Sequence, residues 1–358
     1  MRRSSLLQTA PHHFPCNYKN HNTLLLSLSL SFSKKLPSSR WAHHAASFTI
    51  TAAAATVRGR NKIVVVLGPT GCGKSKLSVD LASRFFPSSE IINSDKIQVY
   101  NGLDITTNKI PLHERNNVPH HLLGEFHSSE SHPEFTPSDF RSSASLTISE
   151  IHSRNKLPFI VGGSNSFIHA LLVKMFNPEL DVFNESNLDI AFSKEFRYRC
   201  CFIWVDVSPQ VLNQYLVKRV DDMLDSGMYE ELAEYFGSDS VNHQSGIKKA
   251  IGVPEFESYF KKFQNKGEDL TIDGDVEKML AYEDAVRAIK DNTCQLAKRQ
   301  LWKILRLRDA AGWDLKRVDA TASVMAAMGG AGRRRVAEIW ERQVVEPSVK
   351  IVKRFLME

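Results

Sequence analysis

No aspartate or glutamate precedes Asp80 in this chain of 358 residues. The first 60 residues carry eight Lys or Arg side chains, so this acid-free leader accounts for the formal net charge of +6, and the remaining residues carry about −2. A protein that binds nucleic-acid polymers normally presents a basic surface. The charge of the remainder therefore disfavours a polynucleotide partner.

The composition of the leader is typical of an organelle transit peptide, because it is rich in Ser, Leu, His and Arg and lacks acids. The segment Leu24–Phe32 resembles a short secretory signal, but it lies far from the N-terminus and serines interrupt it. We expect residues 1–57 to be a disordered transit peptide that is removed in the plastid (chloroplast), with the mitochondrion as the alternative. A tail without a targeting function is the third interpretation.

Long apolar runs and paired cysteines are also missing. No apolar run reaches the roughly 18 residues that a membrane-spanning helix needs, so we expect no membrane partner. The five cysteines form no C-x-x-C pair, and Cys200 and Cys201 are adjacent. We expect reduced thiols and no structural zinc.

The hydrophobic pattern predicts an α/β fold with a parallel sheet flanked by helices, plus a smaller, mostly helical domain. The predicted strands are Lys62–Gly68, Glu90–Asp95, Leu157–Asn165 and Arg199–Ser208. Helical periodicity dominates after Pro209, and later helices are predicted near residues 247–262, 275–308 and 330–356. The predicted division is a catalytic core at 58–210, a helical part at 211–310 and a C-terminal helical tail at 311–358.

A glycine-rich loop follows the first predicted strand and opens a helix. Its residues match G-x-x-x-x-G-K-[ST], the pattern of a phosphate-binding loop. In such a loop, backbone N–H groups and the positive end of the helix bind phosphate oxygens. Lys74 adds a positive charge, and Ser75 offers a hydroxyl to Mg²⁺. The predicted binding residues are Gly68, Pro69, Thr70, Gly71, Cys72, Gly73, Lys74 and Ser75.

Two aspartates end later predicted strands and are candidates for chemistry. Asp206 could hold Mg²⁺ if the loop served an ATPase or a kinase. Asp95 could hold magnesium or accept a proton from a substrate. Either carboxylate could instead only cap a loop.

The segments around these residues resemble the isopentenyltransferase family, and most closely its plant adenylate isopentenyltransferases. The likeness covers roughly residues 62 to 310, in the order "GPTGCGKS", "INSDKIQVYNGLDITTNK", "PHHLLGE", "VGGSNSFIHALL" and "VLNQYLVKRVDDMLDSG". The resemblance implies transfer of a dimethylallyl group from dimethylallyl diphosphate to N6 of an adenine nucleotide, AMP, ADP or ATP. This reaction is the first step of cytokinin biosynthesis. With Mg²⁺ as the cofactor, the loop would bind the diphosphate that leaves, and ATP would be a substrate.

The resemblance also implies individual roles. Thr70 would contact the donor's bridging oxygen or diphosphate, Asp95 would act as the base, and Arg219 would bind the diphosphate. A surface salt bridge is the alternative for Arg219. Phe167 stands where other branches often have tyrosine, so no hydroxyl is expected there. Cys72 occupies a variable position of the loop.

Other polar residues receive weaker interpretations. The adjacent histidines His120 and His121 are expected in a folded loop near the site, with a metal role as the less favoured alternative. Several cations are candidates for acceptor phosphates, although a set at helical spacing usually forms a solvated face. They are Lys248, Lys249, Lys298, Arg299, Lys303 and Arg306.

Three rival functions stay open. A tRNA dimethylallyltransferase keeps the chemistry, but its eukaryotic versions typically carry a C-terminal zinc finger, and no cysteine follows Cys294. A small-molecule kinase would use the loop for ATP. A nucleotide switch would bind without turnover, but "NKIP" at Asn108 lacks the acid of a guanine-reading motif. We favour the nucleotide prenyltransferase and expect a monomer.

Overall fold

The computed structural model describes residues 62–129, 131–184, 192, 193, 195–238, 245–263 and 275–358. The predicted transit peptide, residues 1–57, lies outside the described residues.

A parallel sheet of six strands is the centre of the described part, which confirms the predicted α/β class. The strands are β1 (Lys62–Leu67), β2 (Ser89–Asn93), β3 (His120–His121), β4 (Leu157–Gly162), β5 (Arg199–Asp206) and β6 (Leu315–Asp319). Their order across the sheet is β3-β2-β4-β1-β5-β6. All five pairings are parallel, so the carboxyl ends of the strands lie at one edge.

The central strand β1 is buried on both faces, as its continuous apolar sequence predicts. Ile63, Val65 and Leu67 pack into one hydrophobic cluster, and Val64 and Val66 pack into a second. The alternation follows from the two-residue period of a strand. The sheet therefore separates two apolar layers.

Helices cover both layers. They are α1 (Lys74–Asp80), α2 (Pro137–Ser153), α3 (Asn165–Leu172), α4 (Pro209–Asp225), α5 (Met228–Gly237), α6 (Val253–Phe263), α7 (Val276–Asp309), α8 (Thr321–Met328), α9 (Arg333–Trp340) and α10 (Glu346–Met357). A π-helical turn, Leu81–Phe85, continues α1, and another, Glu341–Val345, joins α9 to α10. The longest helix, α7, begins where the Asp275 side chain accepts hydrogen bonds from the Glu277 and Lys278 amides.

Two local expectations differ from the structure. The segment predicted as a helical tail, 311–358, includes β6, which pairs with β5. His120 and His121 form strand β3 rather than a loop. The predicted domain boundaries stay predictions.

Candidate active site

The phosphate-binding loop lies at the carboxyl edge of the sheet, between β1 and α1. Gly71 and Gly73 have φ angles of 82° and 92°, which side chains rarely adopt. Gly73 is also confined by packing, since an added Cβ would lie 2.8 Å from the ring of Trp340. The Lys74 ammonium is folded onto the loop and donates to the Pro69 carbonyl at 2.7 Å.

Thr70 is held from two sides. Its backbone N–H donates to Gln300 Oε1 at 2.7 Å, and its hydroxyl accepts from Arg219 Nη2 at 3.1 Å. These partners lie on α7 and α4, far from the loop in sequence. The fold thus brings two of the predicted residues, Thr70 and Arg219, into direct contact.

Arg219 is a partly buried cation that has no carboxylate partner among the described residues. Burial lowers the pKa of its guanidinium, while Tyr215 and Cys72 act in the opposite direction. Its Nε has no hydrogen-bond partner among the described residues. A buried cation without a carboxylate partner favours an anionic ligand, because such a ligand would restore the lost solvation.

Asp95 follows β2 and lines the same cavity as Thr70 and Arg219. Its Oδ1 accepts hydrogen bonds from the amides of Ile97 at 2.9 Å and Gln98 at 3.2 Å. These bonds fix the carboxylate within its turn. Among the described residues, Oδ2 has no hydrogen-bond partner. One oxygen is therefore available to accept a proton from a substrate.

The shared cavity has a volume of about 400 Å³. One part of its lining is apolar and comes from α4 and α7, with the residues Val220, Met223, Ile289 and Leu296. Another part carries the cations Lys96, Lys249, Arg299 and Lys303. The cavity therefore offers an apolar wall and a positively charged wall beside Asp95.

The cations of this wall lie close enough to repel one another. Burial lowers the pKa of Lys303, Asp181 opposes this effect, and repulsion from Lys96 and Arg299 adds to it. Lys249 is the paired member, because its ammonium contacts Glu134 at 2.6 Å. An anion bound among these side chains would relieve their repulsion.

The remaining predicted cations lie elsewhere. Lys298 is exposed and Lys248 is partly buried, and neither lines the cavity. Arg306 is buried, with its guanidinium over the rings of Phe192 and Trp302. Only some of the cations that were candidates from spacing therefore face the cavity.

The predicted metal candidates fit magnesium unequally. Asp206 is occupied by an ion pair, in which Arg317 Nε lies 2.7 Å from its Oδ2. Ser75 is exposed in the first turn of α1. Mg²⁺ usually takes one or two protein oxygens and completes its shell with substrate phosphates and water, so the Ser75 hydroxyl fits the ion and Asp206 does not.

Each of the two histidines has a hydrogen-bond partner within the chain. His121 Nε2 contacts Glu90 Oε2 at 2.7 Å, and His120 Nδ1 contacts the Val118 carbonyl at 2.8 Å. The described residues contain no group of three or more His, Cys, Asp or Glu side chains that could hold a metal ion.

Sequence reasoning missed Gln300. Nothing in its spacing marks it, since 230 positions separate it from Thr70. Another cavity, of about 490 Å³, is lined by residues such as Lys62 and His152 and contains none of the predicted site residues. No helix within the described ranges is long and apolar enough to span a membrane.

Comparisons with known proteins find matches to one family of enzymes. The model of the IPP transferase family matches residues 98–190 and 180–303. An adenylate isopentenyltransferase of Humulus lupulus is 56% identical over 303 residues, covering 82% of this chain and 90% of the relative. Adenylate isopentenyltransferase 1 of Arabidopsis thaliana, named chloroplastic, is 54% identical over 302 residues, with 84% and 82% covered.

Two further likenesses bear on location and fold. Adenylate isopentenyltransferase 7 of Arabidopsis thaliana, named mitochondrial, is 43% identical over 299 residues, with 83% of this chain and 80% of the relative covered. Among solved structures, a eukaryotic dimethylallyltransferase acting on tRNA has a TM-score of 0.62 and 24% identity. That likeness covers 83% of this chain and 80% of the other, and it shows a shared fold.

Proposed function

Because the chain belongs to the IPP transferase family, we propose that it transfers a dimethylallyl group from dimethylallyl diphosphate to N6 of the adenine of ADP or ATP, and also of AMP. This transfer is the first step of cytokinin biosynthesis. One observation carries the proposal: Asp95, Thr70 and Arg219 line one cavity of about 400 Å³ that has an apolar wall and a cationic wall. The relatives named adenylate isopentenyltransferase support the choice of acceptor.

The donor binds with its diphosphate at the loop. The N–H groups of the first turn of α1 have no acceptor within the helix, so they are available to phosphate oxygens. Lys74 and Arg219 add positive charge, and the Thr70 hydroxyl contacts the diphosphate or its bridging oxygen. These groups stabilise the negative charge that grows on the diphosphate as the allylic C–O bond breaks.

The acceptor amine needs help because its lone pair is shared with the purine ring. The Asp95 carboxylate orients the N6 amine and accepts its proton as the new C–N bond forms. The apolar wall, with Val220, Met223 and Ile289, excludes water from the allylic carbon, which would otherwise be hydrolysed. The products are the N6-prenylated nucleotide and diphosphate.

Magnesium is the proposed cofactor, with the Ser75 hydroxyl as its protein ligand. When bound, Mg²⁺ supplies additional positive charge to the diphosphate. The cationic wall then serves the acceptor: Lys96, Arg299 and Lys303 would bind the nucleotide's phosphates, which favours ADP and ATP over AMP.

A product assay tests the proposal. The purified full chain is incubated with labelled dimethylallyl diphosphate and AMP, ADP, ATP or tRNA, and the products are identified by mass spectrometry. We expect prenylated ADP and ATP to form fastest. Label only in tRNA would support the rival transferase, and a phosphorylated product formed without the prenyl donor would support a kinase.

We also propose that residues 1–57 direct the protein to the plastid, with the mitochondrion as the alternative. Relatives named chloroplastic and one named mitochondrial support both destinations. Fusion of these residues to a fluorescent protein tests the assignment in leaf cells, and diffuse cytosolic fluorescence would contradict it.

The monomeric state stays a prediction, which light scattering of the purified protein checks.

A further inference from the structure

Gln300 is a buried amide that joins three parts of the candidate site. Its side chain is 8% exposed, lines the cavity and accepts the Thr70 N–H at 2.7 Å. Its backbone carbonyl accepts from Asn165 Nδ2 at 3.2 Å. Gln300 therefore connects α7 both to the phosphate-binding loop and to the start of α3.

The slot that holds the Gln300 side chain depends on Gly163, which follows β4. A Cβ built at position 163 would lie 2.4 Å from Gln300 Nε2. Real Cβ contacts are essentially never that short, so any side chain there would displace the amide. Gly163 thus leaves room for the Gln300 amide.

The contact also limits which loop groups can meet a phosphate. Pro69 has no N–H to donate, and the Thr70 N–H is committed to Gln300. The Thr70 hydroxyl accepts a hydrogen bond from Arg219 Nη2 at 3.1 Å. A diphosphate at this end of the loop would meet a hydroxyl and a guanidinium, not a backbone amide.

We propose that Gln300 is a positioning residue that fixes the Thr70 peptide so that the Thr70 hydroxyl, rather than its amide, faces the leaving diphosphate. The inference rests on the proposed function for the identity of that diphosphate. The same helix carries Arg299 and Lys303 into the cavity, so Gln300 also sets the loop against the cations of the acceptor wall.

The substitution Gln300→Met tests the inference, because Met is of similar length and lacks the carbonyl oxygen. Gln295→Met is the matched control, since Gln295 is an exposed residue of the same helix and does not line the cavity. We expect kcat/KM for dimethylallyl diphosphate to fall about 10- to 100-fold in Gln300→Met, with the KM for ADP changed less than about 3-fold. The control should match the wild type.

A purely structural role would give a different pattern. It would lower the fraction of folded enzyme, measured by active-site titration, and leave both KM values unchanged. That result, or equal kcat/KM in the two variants, would overturn the inference. A wild type that transfers no prenyl group would instead refute the proposed function.

Two readouts need no turnover. In the ligand-free wild type, the Thr70 amide should exchange with deuterium at least about 10-fold more slowly than exposed amides of the described loops, because it is hydrogen-bonded and enclosed. Inorganic pyrophosphate should bind more weakly to Gln300→Met than to the control in calorimetry. Fast exchange at Thr70 would overturn the inference even if Gln300→Met failed to fold.

Discussion

At the scale of single residues, Asp95 should separate chemistry from binding. In Asp95→Asn the remaining amide oxygen can still accept the Ile97 and Gln98 N–H groups, so the turn should persist. The amide cannot accept the N6 proton, and we expect kcat to fall about 100-fold or more. Steady-state kinetics with ADP should show KM values within about 3-fold of the wild type.

The exposed Asp222, which pairs with Lys218 at the surface, provides a control. Asp222→Asn should behave as the wild type. An Asp95→Asn enzyme with nearly full kcat would show that Asp95 is not the base.

Arg219 should act through geometry as well as charge. Arg219→Lys keeps the charge but loses the planar fork that contacts Thr70 and that, in the proposed function, would also reach a phosphate oxygen. We expect kcat/KM for the prenyl donor to fall about 10- to 100-fold. Lys218→Ala, one position earlier on α4 and exposed, should leave the kinetics unchanged, and equal effects of the two substitutions would contradict a donor-binding role.

The predicted site was only partly accessible from the sequence. The phosphate-binding loop follows a spacing rule, and Asp95 is marked as a candidate by its place at the end of a predicted strand. The resemblance supplied Arg219 and the role of Asp95 as the base. The structure brings these residues to one cavity with Thr70. Gln300 could not be predicted, because a single glutamine on a helix has no spacing signal and acquires its partner only through tertiary packing.

At the scale of elements, α9 packs against the phosphate-binding loop. Trp340 is 6% exposed, packs against Gly73 and donates from Nε1 to Asp80 Oδ2 at 2.7 Å. Lys76 lies over its ring at 4.9 Å. A segment predicted as a terminal tail therefore contributes a side chain, Trp340, that packs against the loop.

Removal of the Trp340 side chain should make the phosphate-binding loop less rigid. Trp340→Ala leaves a cavity and should lower the free energy of unfolding by about 3–5 kcal/mol. The looser loop should also bind pyrophosphate more weakly. Calorimetric unfolding and titration check both effects, and Trp340→Phe, which keeps most of the packing, should show much smaller ones. Unchanged pyrophosphate affinity in folded Trp340→Ala would contradict the supporting role.

The elements that the sequence predicts well are those with a strong internal period. Strands β1, β4 and β5 are continuous apolar runs, and α7 has a capped start and a long helical pattern. Strand β6, "LKRVD", buries only Val318 and is mostly polar. It is a strand because β5 offers it an open edge, which is information that its own residues do not carry.

At the scale of the whole molecule, a buried carboxylate joins the neighbouring strands β2 and β3 to the α2–β4 turn. Glu90 of β2 is 3% exposed and contacts Arg154 at 2.8 Å, Lys156 at 2.9 Å and His121 at 2.7 Å. Burial alone would raise the pKa of Glu90, but hydrogen bonds from Arg154, Lys156 and His121 outweigh it and lower the pKa to about 2.

The lowered pKa predicts a specific acid sensitivity of folding. The folded carboxyl has a lower pKa than the unfolded value of 4.5, so its stabilisation is fully present above that value and disappears as the pH falls toward about 2. A shift of this size corresponds to about 3 kcal/mol. Glu90→Gln should therefore lower the free energy of unfolding strongly near pH 7 and much less near pH 3. Urea titrations at both pH values measure the difference, with Glu195→Gln at an exposed position as the control. An equal loss of unfolding free energy at both pH values would refute the ionic origin of this stabilisation.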